Sequence, residues 1–255
     1  MTEPILVVDK LEKRFGGVQA IRELSFSVHS DEVVGLIGPN GSGKSTSINV
    51  ISGVFPPTSG DISLCGRSVT RLPINDRVSL GLARTFQTTT LFPEYSVFEQ
   101  VLTACHTRFH RSLLSAILRL TASRFEEIEQ AKRVQEILEF VRLGHVMKKP
   151  TSTLSSVEQR LLMIATALAG EPKVLLLDEP AAGMVAEERK ALGELITRIR
   201  DRNISVVVIE HQMSLIMEVC DRIVVLNFGE KIAEGVPAEI RCNQAVIAAY
   251  LGEGD

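Results

Sequence analysis

A short apolar run, Val33-Val34-Gly35-Leu36-Ile37, passes directly into Gly38-Pro39-Asn40-Gly41-Ser42-Gly43-Lys44-Ser45. The chain then reads as a helix from Lys44 to Ser52, with Gly53 as its stop. A short, non-alternating apolar run is the pattern of a strand buried on both faces, as in a parallel sheet covered by helices. Between such a strand and a helix, glycines let the backbone turn so that successive N–H groups face one concavity. The helix N-terminus adds partial positive charge there, which suits phosphate. Lys44 brings a full charge to the terminal phosphates, and the Ser45 hydroxyl is an oxygen ligand suited to magnesium. Residues Gly38, Pro39, Asn40, Gly41, Ser42, Gly43, Lys44, Ser45 and Thr46 therefore predict a site for ATP and Mg2+. Without that context the segment is only a glycine-rich turn with a solvated lysine.

Two more runs have the same character, Val174-Leu175-Leu176-Leu177 and Val206-Val207-Val208-Ile209. They end in Asp178-Glu179 and Glu210-His211. In open α/β sheets ligands bind beyond the carboxyl ends of the strands, so three such ends predict one site assembled from distant parts of the chain. Asp178 is placed to hold magnesium, and Glu179 to orient and deprotonate an attacking water. Taken alone, Asp178-Glu179-Pro180 is a polar strand end before a turn, and His211 is a satisfied core histidine. The phosphate loop favours the functional reading of both. Glu187 to Arg202 places Leu192, Leu195, Ile196 and Ile199 on one helical stripe, and Met213, Ile216 and Val219 form a shorter one.

The N-terminal region reads differently. Ile5-Leu6-Val7-Val8, Leu24 to Val28 and Asp61 to Leu64 are strand-like and separated by glycine turns, which predicts a small antiparallel sheet. Glu126 to Val141 carries Ile128, Ala131, Val134, Ile137, Leu138 and Val141 at helical spacing. The expected organisation is an α/β nucleotide-binding core from residues 1–90 and 161–235, a helical insert over about 91–160, and a helical tail over 236–255.

The net charge of −3 and an aromatic share of 5% argue against a nucleic-acid surface. The N-terminus lacks a basic stretch followed by an apolar one, and no apolar run approaches the ~18–20 residues that span a bilayer, so a cytoplasmic chain is expected. Cys65, Cys105, Cys220 and Cys242 are scattered and read as free thiols. His106 and His110 share a helical spacing, but no third metal ligand is in register with them.

These residues resemble the ATP-binding subunits of ABC transporters over essentially the whole chain. The resemblance is carried by the phosphate loop, Arg84-Thr85-Phe86-Gln87, the segment at Leu154, Leu177-Asp178-Glu179-Pro180 and Ile209-Glu210-His211. Lys13-Arg14-Phe15-Gly16-Gly17, Leu91-Phe92-Pro93, Glu179-Pro180-Ala181-Ala182-Gly183 and Ala249 to Glu253 look like the branched-chain amino acid importer subgroup. Lipopolysaccharide-export subunits share parts of this second set. The resemblance implies a P-loop NTPase (RecA-like) core with a small antiparallel β subdomain and a helical subdomain. It implies that Phe15 stacks on adenine, the alternative being a core phenylalanine of the small sheet. It implies that Gln87 contacts magnesium and the attacking water, that His211 contacts the terminal phosphate, and that the helical insert docks a membrane permease. A periplasmic solute-binding protein and attachment to the cytoplasmic face of the inner membrane follow from the same resemblance.

Two departures stand out. Subunits of this family pair head to tail, each lending the other's nucleotide a signature usually reading Leu-Ser-Gly-Gly-Gln. Here it reads Leu154-Ser155-Ser156-Val157-Glu158. Val157 replaces a glycine whose N–H approaches the terminal phosphate, and a β-branched residue adds bulk there. Ser155-x-x-Glu158 is also a capping box, so this segment is expected to begin a helix as well. Val185 stands where the family has Asn or Asp. Both departures concern what the chain offers its partner's nucleotide, so a heterodimer with a different ATPase subunit is expected over a homodimer. The alternative is a nucleotide-gated subunit with low turnover.

Overall fold

The computed structural model describes residues 3–85, 91–105 and 120–251, without the side chains of 120–127 and 251. Gln87, His106 and His110 lie outside the described residues. The chain divides into two units: Met1–Gln87 with Lys173–Asp255, and Thr88–Pro172.

The first unit holds two sheets. In the smaller, β1 (Pro4–Phe15) and β2 (Val18–His29) form a long antiparallel pair, and β4 (Ser59–Leu64) and β5 (Arg67–Ser68) extend it in the order β2-β1-β4-β5. Apolar alternation in β1 lapses after Val8, yet the strand runs on to Phe15. The pairing shifts register between Val8 and Leu11, where Lys10 takes a φ of 43°. Such a bulge leaves an extra residue unpaired and breaks the strict two-residue alternation, which hides the second half of the strand from a simple alternation test.

The larger sheet has six strands in the order β10-β9-β3-β8-β7-β6. The expected trio, β3 (Val33–Ile37), β7 (Val174–Asp178) and β8 (Ser205–Ile209), is buried at every residue. Around it lie β6 (Leu82–Arg84), β9 (Arg222–Asn227) and β10 (Glu230–Gly235). All neighbours pair in parallel except β9 with the polar edge strand β10. Ile223-Val224-Val225-Leu226 in β9 is as apolar as the trio and fully buried, so the sheet is wider than the three runs suggested.

Helix α1 (Lys44–Ile51) follows the glycine loop. Its C-terminal end is closed by Arg77 of α2 (Ile74–Ser79), whose side chain is fully buried. The guanidinium donates to the carbonyls of Val50 at 2.8 Å and Ile51 at 2.6 Å, and to those of Thr70 and Leu72. A cation at this end satisfies carbonyls that the helix cannot and complements its dipole, while the opposite end faces the glycine loop.

In the second unit α3 (Val97–Cys105), α4 (Leu120–Phe140) and α5 (Ser156–Ala169) pack together. Val97, Val101, Val134, Leu138, Leu162 and Ala165 are buried. Because α5 packs on α3 and α4, the unit continues past residue 160 to Pro172. Returning to the first unit, α6 (Ala186–Arg200), α7 (Met213–Val219), α8 (Pro237–Cys242) and α9 (Gln244–Leu251) complete the described helices.

Candidate active site

The glycine loop leaves the buried end of β3 and is held tightly from behind. A Cβ on Gly38 would lie 2.1 Å from the Leu226 carbonyl oxygen. One on Gly43, whose φ is 102°, would lie 2.6 Å from that of Ala20. Neither position admits a side chain. The turn after β9 fastens the loop further: the Gly229 N–H donates to the Ser42 carbonyl at 3.0 Å, and Arg22 N–H donates to the Gly229 carbonyl at 2.8 Å. The loop shape is thus imposed by β2 and β9.

Lys44 is buried inside this loop. Its ammonium donates to the carbonyls of Gly38 and Pro39, both at 2.7 Å, and lies 3.4 Å from the Ser42 hydroxyl. The cation therefore sits among the groups that shape the concavity. Ser45 and Thr46 follow in the first turn of α1, with Ser45 exposed. A cleft of about 550 Å3 opens here, lined among others by Val18, Gly41, Lys44, Glu179, His211 and Phe228.

The ends of β7 and β8 reach the same cleft. Glu179 has a φ of 47°, unusual for a residue with a side chain, and its N–H donates to the Ile209 carbonyl at 2.9 Å. Its Oε1 lies 3.0 Å from His211 Nε2. With the carboxylate as acceptor, that nitrogen carries the proton. The Glu179 side chain is 22% exposed and that of His211 43%, so the pair is reachable from solvent.

Asp178 is placed differently. Its side chain is 3% exposed, and Oδ2 accepts from Arg84 Nη2 at 2.9 Å. Arg84 Nη1 reaches Asn49 of α1 at 2.7 Å and Ser52, just past its end, at 3.0 Å, so the ion pair ties β6, β7 and α1 together. Asp178 Oδ1 is buried with no hydrogen-bond partner among the described residues. A buried, unmatched carboxylate oxygen is costly, and it fits a hydrated oxygen-seeking cation. With the Ser45 hydroxyl, the donor set is all oxygen and suits Mg2+. Gln87, the third expected ligand, lies outside the described residues.

Phe15 ends β1 at 42% exposure and is therefore no core residue. It meets Phe55 edge to face at 5.4 Å, with the Lys13 ammonium 4.9 Å from its ring centre. In the second unit, Ser155 caps α5. Its hydroxyl accepts from the Glu158 N–H at 3.3 Å and donates to Glu158 Oε2 at 2.8 Å, while the Ser155 N–H reaches the same oxygen at 2.8 Å. Hydrogen bonds from the Ser155 backbone N–H and hydroxyl hold the Glu158 carboxyl below the usual carboxylate range. Ser156 and half-buried Val157 form the first turn. Val185 caps α6 and is exposed; Glu188 accepts from its N–H at 2.9 Å, but valine has no oxygen to return the bond.

Two residues of the site had no role in the sequence reading. Arg84 was visible only as part of a motif. Glu210 is 2% exposed and accepts from the backbone N–H groups of Ala181 and His211, on two different segments. Its signal was a carboxylate placed between a buried strand and His211.

A family model described as ABC transporter matches residues 21–182, well over half of the chain. One described as branched-chain amino acid ATP-binding cassette transporter matches residues 230–255. The chain is 41% identical over 254 residues to the high-affinity branched-chain amino acid transport ATP-binding protein LivG of Salmonella typhimurium, covering 99% of this chain and 100% of that protein. It is 40% identical over 254 residues to BraF of Pseudomonas aeruginosa, a protein of the same description, with the same coverage. Among solved structures it is similar to the ADP conformation of an ATP-binding cassette of an ABC transporter, with a TM-score of 0.85 and 28% identity over 98% of this chain and 100% of that one. A cradle for phosphate at the head of a parallel sheet, matched in fold and along the whole sequence, makes this chain a member of the ABC transporter family, one of its ATP-binding cassettes.

Proposed function

We propose that this cassette hydrolyses ATP to drive import of branched-chain amino acids or a related small polar solute. The observation that carries the hydrolytic part is the meeting of three strand ends in one cleft, with Lys44, Glu179 and His211 lining it. The solute class rests on what the relatives are named for.

In this reading the loop N–H groups and Lys44 hold the β- and γ-phosphates, and the Phe15 ring receives adenine. Ser45, Gln87 and Asp178 hold Mg2+, directly or through water; when bound, the ion neutralises charge on the phosphates. Glu179 accepts the proton of the attacking water. The water oxygen bonds to the γ-phosphorus, the bond to the β-phosphate oxygen breaks, and ADP leaves. The His211 Nε2–H holds the Glu179 carboxylate in place beside the terminal phosphate. Arg84 holds Oδ2 of Asp178, and the buried Oδ1 is the oxygen that would serve the ion.

The cassette works with permease subunits at the cytoplasmic face of the inner membrane, supplied by a periplasmic solute-binding protein. Its ATPase partner is a different chain with an intact signature. Ser155, Ser156, Val157 and Glu158 face that partner's nucleotide and stabilise its transition state poorly. Losing one preorganised donor costs on the order of 10²–10³ in rate. Val157 and Val185 also favour a second reading, a gating subunit with little turnover. Steady-state ATPase of the chain alone, with a partner cassette and as Glu179→Gln separates the two; Val157→Gly tests the signature itself, a gain in turnover supporting its impairment and no gain contradicting it. For the transport role, the complex is rebuilt in vesicles with its permease and binding protein. ATP-driven uptake of leucine, isoleucine or valine is expected. Uptake of none of these and of no other small polar solute would overturn the proposal.

A further inference from the structure

Glu210 is a buried carboxylate whose hydrogen bonds among the described residues all run to backbone N–H groups, on two different segments. Oε1 accepts from Ala181 at 2.6 Å, on the stretch that follows Glu179. Oε2 accepts from His211 at 3.0 Å and from Gln212 at 3.3 Å. The same two segments are joined a second time, by the Glu179 N–H and the Ile209 carbonyl at 2.9 Å. Glu179 thus sits between two cross-links, one on its own nitrogen and one two residues later. Its backbone lies in the left-handed region, with φ 47°. A side-chain-bearing residue holds that conformation only where its surroundings enforce it. On the far side the same carboxylate fixes the backbone of His211.

We infer that Glu210 is a positioning residue for hydrolysis: its carboxylate clamps the backbone of the Glu179 segment to that of His211 and thereby sets their 3.0 Å contact. The inference rests on the reading of Glu179 and His211 as the hydrolytic pair. The chemistry requires a carboxylate. An ionised Glu offers acceptors on both oxygens, whereas Gln in the same pose turns an NH2 toward N–H donors on one side and breaks half of the clamp. A displacement of about 1 Å at a reacting group costs on the order of 10²-fold in rate.

The test measures steady-state turnover and nucleotide affinity of the assembled ATPase carrying Glu210→Gln, with Glu210→Asp as a second variant. The expected result is a fall in kcat of roughly 10- to 100-fold with ATP affinity within about 2-fold of the parent. Glu210→Asp keeps both acceptors and is expected to retain more activity than Glu210→Gln. Because the clamp acts through Glu179, adding Glu210→Gln to Glu179→Gln is expected to cause no further loss. Unchanged kcat in a folded Glu210→Gln protein would overturn the inference. So would a parallel loss of affinity, or multiplicative losses in the double variant. If Glu210→Gln does not fold, Glu210→Asp decides: turnover lowered at unchanged affinity supports the clamp, and parental turnover overturns it. If Glu179→Gln itself left turnover intact, the assignment of Glu179 would fall instead, so the two failures are distinguishable.

Discussion

His211 Nε2 lies 3.0 Å from Glu179 Oε1, although 32 residues separate them in sequence. The contact exists because β7 and β8 are parallel neighbours in register, with Asp178 opposite Ile209. Each strand delivers its first polar side chains to the same edge of the sheet. A hydrogen bond between the two polar ends keeps the carboxylate oriented toward the phosphate loop, whose Lys44 lines the same cleft.

The cap of α6 is half built. Glu188 accepts from the Val185 N–H, but Val185 cannot accept from the first-turn N–H groups. Val185→Asp is expected to complete the box and stabilise the protein by about 1 kcal/mol. Denaturant unfolding checks this, and a destabilised variant would contradict it. If the family's polar residue here also communicates across the dimer, the same substitution raises turnover of the assembled complex.

The turn between β9 and β10 holds Phe228 at φ 45° and Gly229 at φ 83°, with Asn227 paired to Glu230. That is the geometry of a two-residue type I′ turn, in which Asn or Gly is favoured at the first position. Phe228 is 76% exposed and gains little from packing. Phe228→Asn is expected to stabilise the fold by about 0.5–1 kcal/mol, read as a higher Tm. A lower Tm would show that the ring makes a contact the turn geometry does not reveal.

Much of this site was legible in the sequence because its chemistry is concentrated at strand ends. Gly38 to Ser45, Asp178, Glu179 and His211 each follow an apolar run, and the run announces the strand. Arg84 and Glu210 were not legible in that way. Their partners, Asp178 and the N–H of Ala181, are 94 and 29 residues away, and side-chain spacing carries no trace of such pairings. Arg77 was hidden for the same reason: a buried arginine satisfied by four backbone carbonyls looks, in sequence, like any charge on a short helix. The second half of β1 was obscured by the bulge at Lys10.

Among the described residues the helical unit carries two capping boxes, Ser96 with Glu99 and Ser155 with Glu158. Hydrogen bonds from the capping serines depress both carboxyl groups in the folded state. Their contribution is therefore fully present above the unfolded-state value, near 4.5, and is lost as pH falls through the lower folded-state value. Glu158→Ala is expected to lower Tm at pH 7 and to lower it less at pH 4, with the gap narrowing further at more acid pH. A gap that stayed constant or widened on acidification would contradict the capping account.

In the proposed mechanism this chain supplies one competent half of a hydrolytic pair. The direct measurement is steady-state ATPase of the chain alone, with its partner cassette, and with Glu179→Gln in this chain only. Slow turnover is expected from the chain alone, faster turnover with a partner carrying an intact signature, and a fall of roughly 10²-fold or more when Glu179 is changed while ATP binding persists. Full turnover by the chain alone, or turnover of the pair untouched by Glu179→Gln, would contradict it.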